Sequence, residues 1–187
     1  MNFVEYINSF VPLPENVAVE LLSKSRKEYL PKHYMLHREG EVCKKLYFVE
    51  KGLVRWFYHS EEGKDITDSF GGENSFVTAF DSFFQRKPSR YSIELLEDST
   101  VYSMTYDDLE YLFEKFREVE KVSRLILIQI LEQSLDKNSA LQFHNAHERY
   151  EFITEKHPDL LQRVSLGHIA SYLGITQETL SRIRAKK

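Results

Sequence analysis

One cysteine, Cys43, occurs among 187 residues. A single thiol excludes an intrachain disulfide and any metal centre built from several cysteines. Cys43 reads as a small buried residue rather than a redox sensor. Long apolar runs are also missing. Leu125–Leu131 spans only seven residues and has Gln129 inside it, too short for a membrane span. The start, Met1-Asn2-Phe3-Val4-Glu5, has neither the basic residues nor the apolar stretch of a signal peptide, so a cytoplasmic protein is expected. No Gly-rich phosphate loop and no Gly-x-Ser-x-Gly elbow occurs, which removes the commonest nucleotide-hydrolysing and esterase chemistries. An excess of one charge is absent too: the net charge is −4. The distribution is uneven, however. From Arg163 onward there are five basic residues and one acid, Glu178, so a +4 tip sits on a body near −8. That asymmetry fits a protein that meets phosphate at one end.

Residues 2–24 read as short helices broken by Pro12 and Pro14. From about Glu28 to Tyr106 the texture is β: Leu46–Glu50 and Leu53–Tyr58 joined at Lys51-Gly52, a turn at Glu61-Glu62-Gly63, then Ile66–Phe70, Tyr91–Leu96 and Thr100–Thr105. Short strands at such spacing predict a sandwich, roll or jelly roll. Helix returns at Tyr106, where Asp107 and Asp108 suit a helix start. A long helix follows from about Phe116 to Leu141. Its run around Leu125–Leu131 is apolar on all sides and must be covered on all sides, most simply by the same helix of a second subunit. The expected partner-facing residues are Val122, Leu125, Ile126, Gln129, Ile130 and Gln133. Asn145-Ala146-His147-Glu148 matches a capping box for a further helix ended by Pro158. The chain is therefore expected to be α+β, in three parts: 1–115 helices and β-roll, 116–143 dimerisation helix, and 144–187 C-terminal helical domain.

The last part carries the sharpest signal. Leu166–Ile183 fits two short helices crossing at a tight turn. Ile169, Leu173, Ile175, Leu180 and Ile183 supply the apolar contacts, and Ala170 is small enough for a close crossing. Gly174 sits where the turn requires a positive φ, and Thr176 can cap the second helix. Such a helix-turn-helix places its second helix in the DNA major groove.

This order of elements resembles the Crp/Fnr family of bacterial transcription regulators, and the resemblance covers almost the whole chain. It rests on Glu39-Gly40-Glu41 before a strand, Tyr47–Gly52 as strand and turn, Glu148-Arg149-Tyr150 opening a helix, and most specifically Ile169–Ile183. The segments Ile169–Ile175 and Glu178–Ile183 look like short Bacteroidetes members. The resemblance implies a homodimer on double-stranded, pseudo-palindromic DNA, with RNA polymerase a further partner and a small-molecule effector of unknown identity. No cofactor is implied. It also implies a recognition helix from Gln177 to about Lys186, with Gln177, Glu178, Ser181 and Arg182 at base edges. The chemistry agrees: arginine pairs with guanine, glutamate accepts from cytosine, and glutamine pairs with adenine. Thr176, Thr179, Arg184, Lys186 and Lys187 are placed for phosphates. The chain ends at Lys187, where longer members add a β-hairpin wing. Fewer backbone contacts and weaker affinity are expected from that.

The effector region departs from the family. Members that bind cyclic AMP carry a Gly-Glu pair for the ribose and an Arg-Ser pair for the phosphate. An ungapped alignment places Thr78-Ala79 and Ser89-Arg90 at those positions, with Tyr91 following. Gly72-Glu73 lies several residues too early. Arg90 is displaced by one residue, which on a strand turns it to the other face, so cyclic AMP binding is not expected. Bulky Phe80 and Tyr91 are candidates to fill the roll. The family's iron–sulfur sensing needs several cysteines and does not apply.

Two rival readings remain. In a cupin-like metal enzyme, His33, His37 and Glu39 would share one face of a strand. The absence of any His-x-His pair argues against it, and no metal is expected. The other rival is a degenerate dimeric scaffold that binds a protein partner; the base-edge residues argue against that.

Overall fold

A computed structural model describes residues 1–185. Two helices, α1 (Phe3–Phe10) and α2 (Glu15–Ser23), lead into eight strands among the described residues: β1 (Arg26–Leu30), β2 (Met35–His37), β3 (Lys45–Lys51), β4 (Val54–His59), β5 (Asp65–Gly71), β6 (Ser75–Val77), β7 (Ser92–Leu95) and β8 (Ser99–Thr105). A short helix, α3 (Phe80–Phe83), interrupts them between β6 and β7. Then come α4 (Tyr106–Lys115), α5 (Arg117–Phe143), α6 (Ala146–Lys156), α7 (Leu160–Arg163), α8 (Leu166–Tyr172) and α9 (Gln177–Ala185). The strands form two four-stranded sheets, ordered β1-β8-β3-β6 and β2-β7-β4-β5. The chain divides into two compact units. One comprises Met1–Trp56 and Phe70–Leu127; the other comprises Phe57–Ser69 and everything from Ile128 onward.

In the first unit, β3 and β8 pair antiparallel through Tyr47↔Ser103, Phe48↔Tyr102 and Val49↔Val101. Phe48, Val49, Val54, Val77, Phe83, Ile93, Leu95 and Val101 are buried and make the roll's core. The first helix begins with a complete capping box between Asn2 and Glu5. It lays Phe3 and Tyr6 on Phe48, with ring centroids 5.0 and 5.3 Å apart. Gly52 makes the β3–β4 turn with φ +128, and a Cβ there would lie 2.1 Å from Ser99 Oγ. Only glycine fits both that conformation and that approach. A buried cross-strand ion pair stiffens the second sheet. Arg55 of β4 is 3% exposed, and its Nε and Nη2 donate to Glu94 Oε1 of β7 at 2.7 and 2.6 Å.

Strands β1, β2 and β6 and helix α3 were not anticipated. Arg26–Leu30 has an exposed, charged pattern because it is an edge strand whose structure comes from pairing with β8. The face shared by His33, His37 and Glu39 is not realised. His33 adopts φ +66 in a turn before β2, and only His37 of the three belongs to the strand.

The second unit holds the C-terminal half of α5, helices α6 to α9, and the hairpin tip of β4 and β5. Asn145 caps α6, accepting from the His147 and Glu148 amides at 2.9 and 3.1 Å, while Glu148 accepts from the Asn145 amide. Tyr150 and Ile153 of α6, Leu160, Val164, Ile169, Ala170, Leu173 and Leu180 form its core.

Candidate nucleic-acid interface

The turn between α8 and α9 is fixed by backbone geometry. Gly174 has φ +65. Its N–H donates to Ser171 O and the Ile175 N–H donates to Ala170 O, each at 3.0 Å. Those two bonds are a Schellman closure, which satisfies carbonyls that the end of α8 would otherwise leave bare. The following helix is capped by Thr176, whose Oγ1 accepts from the Thr179 amide at 3.2 Å. Ile169, Ala170, Leu173 and Leu180 are buried between the helices, while Ile175 and Ile183 are half-buried.

The outward face of α9 presents Gln177, Glu178, Ser181, Arg182 and Arg184, all exposed. Arg182 Nε reaches Glu178 O at 3.4 Å, so its guanidinium rests along its own helix. Hydrogen bonding to its own amide, to Thr176 and the Arg182 charge hold the Glu178 carboxyl below the ordinary carboxylate range, so it is an acceptor at neutral pH. Gln177 is less free than its exposure implies: a Cβ on Gly167 would come within 2.8 Å of Gln177 Nε2. The glycine therefore makes room for that amide against α8. Thr176 and Thr179 hydroxyls lie 3.2 Å apart and serve the cap. Lys186 and Lys187 lie outside the described residues.

One neighbouring side chain was missed in the sequence. Arg149 of α6 lies behind the turn, with Nη1 3.4 Å from where a Gly174 Cβ would sit. Its Nε is buried without a hydrogen-bond partner among the described residues. The sequence signal was available as the arginine of Glu148-Arg149-Tyr150, though nothing local says which turn it meets.

The expected partner-facing residues of the long helix differ in exposure. Val122 and Ile126 are 2% and 7% exposed, buried within the same chain. Leu125 and Ile130 are half-buried, and Gln129 and Gln133 are exposed. Large apolar residues left in solvent include Leu127, Ile128, Leu131 and Leu135, at 44, 46, 58 and 56%, with Leu141 and Phe143 exposed nearer the helix end. Counting apolar residues on a continuous run cannot decide which side faces the chain's own core, and the solvent-facing stripe is offset from the expected one.

In the roll, Thr78 and Ala79 are buried, and Thr78 is held by the protein itself, its Oγ1 donating to Lys45 O at 3.1 Å. Ser89 is buried and Arg90 exposed, on opposite sides. Arg90 Nη2 donates to Tyr91 Oη at 3.0 Å, and its guanidinium lies 5.0 Å from that ring's centroid. Most informative is Asp81. Its carboxylate accepts from Ser89 Oγ at 2.9 and 3.1 Å and from the Arg90 amide at 3.4 Å. Donors of the type that would hold a ligand phosphate are turned onto an internal carboxylate. The residues present do not fit a cyclic nucleotide phosphate.

A roll of two sheets, a long helix and a terminal helix-turn-helix with a polar outward face together define a transcription-regulator architecture. The cyclic nucleotide-binding domain family matches residues 27–116. The regulatory protein HlyX of Actinobacillus pleuropneumoniae is 23% identical over 84% of this chain and 70% of its own length. The anaerobic regulatory protein of Haemophilus influenzae is 24% identical over 84% of this chain and 65% of its length. The chain thus spans about two thirds of those relatives. Among solved structures, the c-di-GMP-responsive regulator CLP of Xanthomonas campestris superposes with a TM-score of 0.71 over 92% of this chain and 91% of that one, at 20% identity. The chain is thus similar to these bacterial regulatory proteins over most of its length, with the cyclic nucleotide-binding domain match confined to the roll. Among the described residues, no helix is long and apolar enough to cross a membrane.

Proposed function

We propose that this chain is a sequence-specific DNA-binding transcription regulator that acts as a homodimer and performs no catalysis. The observation that carries the reading is the exposed row Glu178, Ser181 and Arg182 on α9, set by a closed α8–α9 turn. Arg182 reads guanine and Glu178 accepts from cytosine. Gln177 reaches a base only by leaving Gly167, so it contributes less. Arg184 meets phosphate. The stripe Leu127, Ile128, Leu131 and Leu135 of α5 is the dimer seam, and two such units read half-sites about one helical turn apart. Since Asp81 already occupies Ser89 and the Arg90 amide, cyclic AMP is not the effector.

The test is an electrophoretic shift on the DNA upstream of the protein's own gene, repeated over a salt series. Wild type is expected to bind with an affinity that falls steeply with salt. Arg182→Ala is expected to cost about 1–3 kcal/mol and to relax preference at one base pair. Equal loss on operator and random duplex would refute the base contact, and no shift at any salt would refute DNA binding.

A further inference from the structure

The hairpin tip between β4 and β5 belongs to the same compact unit as α8 and α9, although Thr67 and Ser171 lie 104 positions apart in the chain. Strand β5 is at the edge of its sheet. An edge of this kind must be covered or left to water. Here the Thr67 amide donates to Ser171 Oγ, in the last turn of α8, at 2.9 Å. Thr67 is 3% exposed, so this amide is not shared with solvent.

Beside it lies a charged contact. Lys137 of α5 donates from Nζ to Asp68 O and lies 3.3 Å from Asp68 Oδ1. Its Nζ sits 5.3 Å from the centroid of the Tyr172 ring, the residue after Ser171. The Lys137 side chain is only 21% exposed, so the cation is turned inward onto the hairpin and α8 rather than outward. Burial, with a smaller contribution from the Asp68 charge, pushes the Tyr172 hydroxyl up to about 12, so the ring stays neutral beneath the lysine.

We propose that the β4–β5 hairpin is a structural part of the DNA-binding unit, and that Lys137 is a positioning residue that sets the first helix of the helix-turn-helix for DNA reading. The inference rests on the DNA-binding function proposed above. Lys137 and Thr67 engage Ser171 and Tyr172, whereas the base-reading residues are on α9 and stay exposed with the contact made. The contact therefore blocks no reading residue. It fixes the element against which α9 is packed.

The experiment uses the full chain and a duplex selected by the wild-type protein from a random-sequence library. Two variants, Lys137→Ala and Ser171→Ala, are compared by amide hydrogen exchange without DNA and by operator affinity over a salt series. Both variants are expected to lose protection at the Thr67 amide. Lys137→Ala is expected to bind the operator about tenfold more weakly, about 1.4 kcal/mol, with the salt slope unchanged. Lys137→Arg, which keeps the charge over Tyr172, restores most of the affinity. A salt slope lowered by about one would show instead that Lys137 touches a phosphate. Unchanged affinity despite lost Thr67 protection, or tighter binding, would overturn the positioning role. A wild-type protein that selects no duplex refutes DNA binding itself, and Thr67 protection then still decides whether the hairpin is attached.

Discussion

Replacing Gly174 by alanine isolates the contribution of one backbone angle to the DNA-reading turn. Two effects oppose each other. Alanine reduces the freedom of the unfolded chain, which favours folding by about 0.4–1 kcal/mol where the native conformation suits it. At φ +65 it does not suit, and an L side chain in the left-handed region costs about 1–2 kcal/mol. Steric crowding adds little, because the nearest atom to the new Cβ is Arg149 Nη1 at 3.4 Å, the far end of a flexible side chain. The net expectation is a loss of about 1 kcal/mol, confined to the unit that contains α8 and α9. Asparagine tolerates this conformation better than other side chains, so Gly174→Asn should lose about half as much. The assay is hydrogen exchange at the Gly174 and Ile175 amides, which donate the two closure bonds, followed by operator affinity. The order of stability should be Gly, then Asn, then Ala, with protection in β3 and β8 unchanged. An alanine variant as well protected as wild type, or an asparagine variant worse than alanine, would refute the argument that φ controls this turn.

Two further predictions concern the roll. Among the described residues, Arg55→Ala leaves the part-buried Glu94 carboxylate with only the exposed His33 Nδ1, 3.9 Å away, and should destabilise the first unit by about 1–3 kcal/mol, whereas the double variant Arg55→Met with Glu94→Leu should be near neutral or stabilising. Urea unfolding of the three proteins checks both, and equal losses would show that the charge pair is not what matters. His37 is buried, and desolvation lowers its pKa, partly opposed by the Glu41 and Asp81 charges. Below its ordinary value of 6.5 the unfolded chain takes up a proton that the folded chain refuses. The folded state should therefore keep its full stability above about 6.5 and lose it as the pH falls toward the lowered value. A His37→Gln variant, measured by denaturation from pH 8 to 5 (about the range of ordinary histidine titration), should show a flatter acid limb; an identical slope would refute the assignment.

How much was legible in the sequence depends on how far apart the interacting residues lie. The helix-turn-helix was readable because its determinants are neighbours: Gly174 closes on Ser171 and Ile175 on Ala170, and Thr176 accepts from the Thr179 amide. Spacing alone specifies such contacts. The capping box at Asn145 and Glu148 and the turn at Gly52 were readable for the same reason, although the need for glycine at 52 is completed by Ser99 from a distant strand. Edge strand β1 was invisible because its charged pattern has no alternation, and only pairing with β8 makes it a strand. Which face of α5 is left in solvent was not legible, because helical periodicity shows only that an apolar run has several faces, and tertiary packing decides that Val122 and Ile126 point inward.

The same distinction explains why recognition is easier to infer than regulation in this protein. Reading DNA requires one short helix presented at one angle, and the sequence between Leu166 and Ile183 contains nearly all of it. The fit of the roll to a ligand depends instead on what meets the segment between β6 and β7. There the decisive residue is Asp81, whose significance appears only when its carboxylate is found on Ser89 and the Arg90 amide. A missing ribose-binding glutamate would by itself have left a weakened site. An internal carboxylate on the anion donors makes a site that repels an incoming anion, because a second negative group would have to displace the first and share its field.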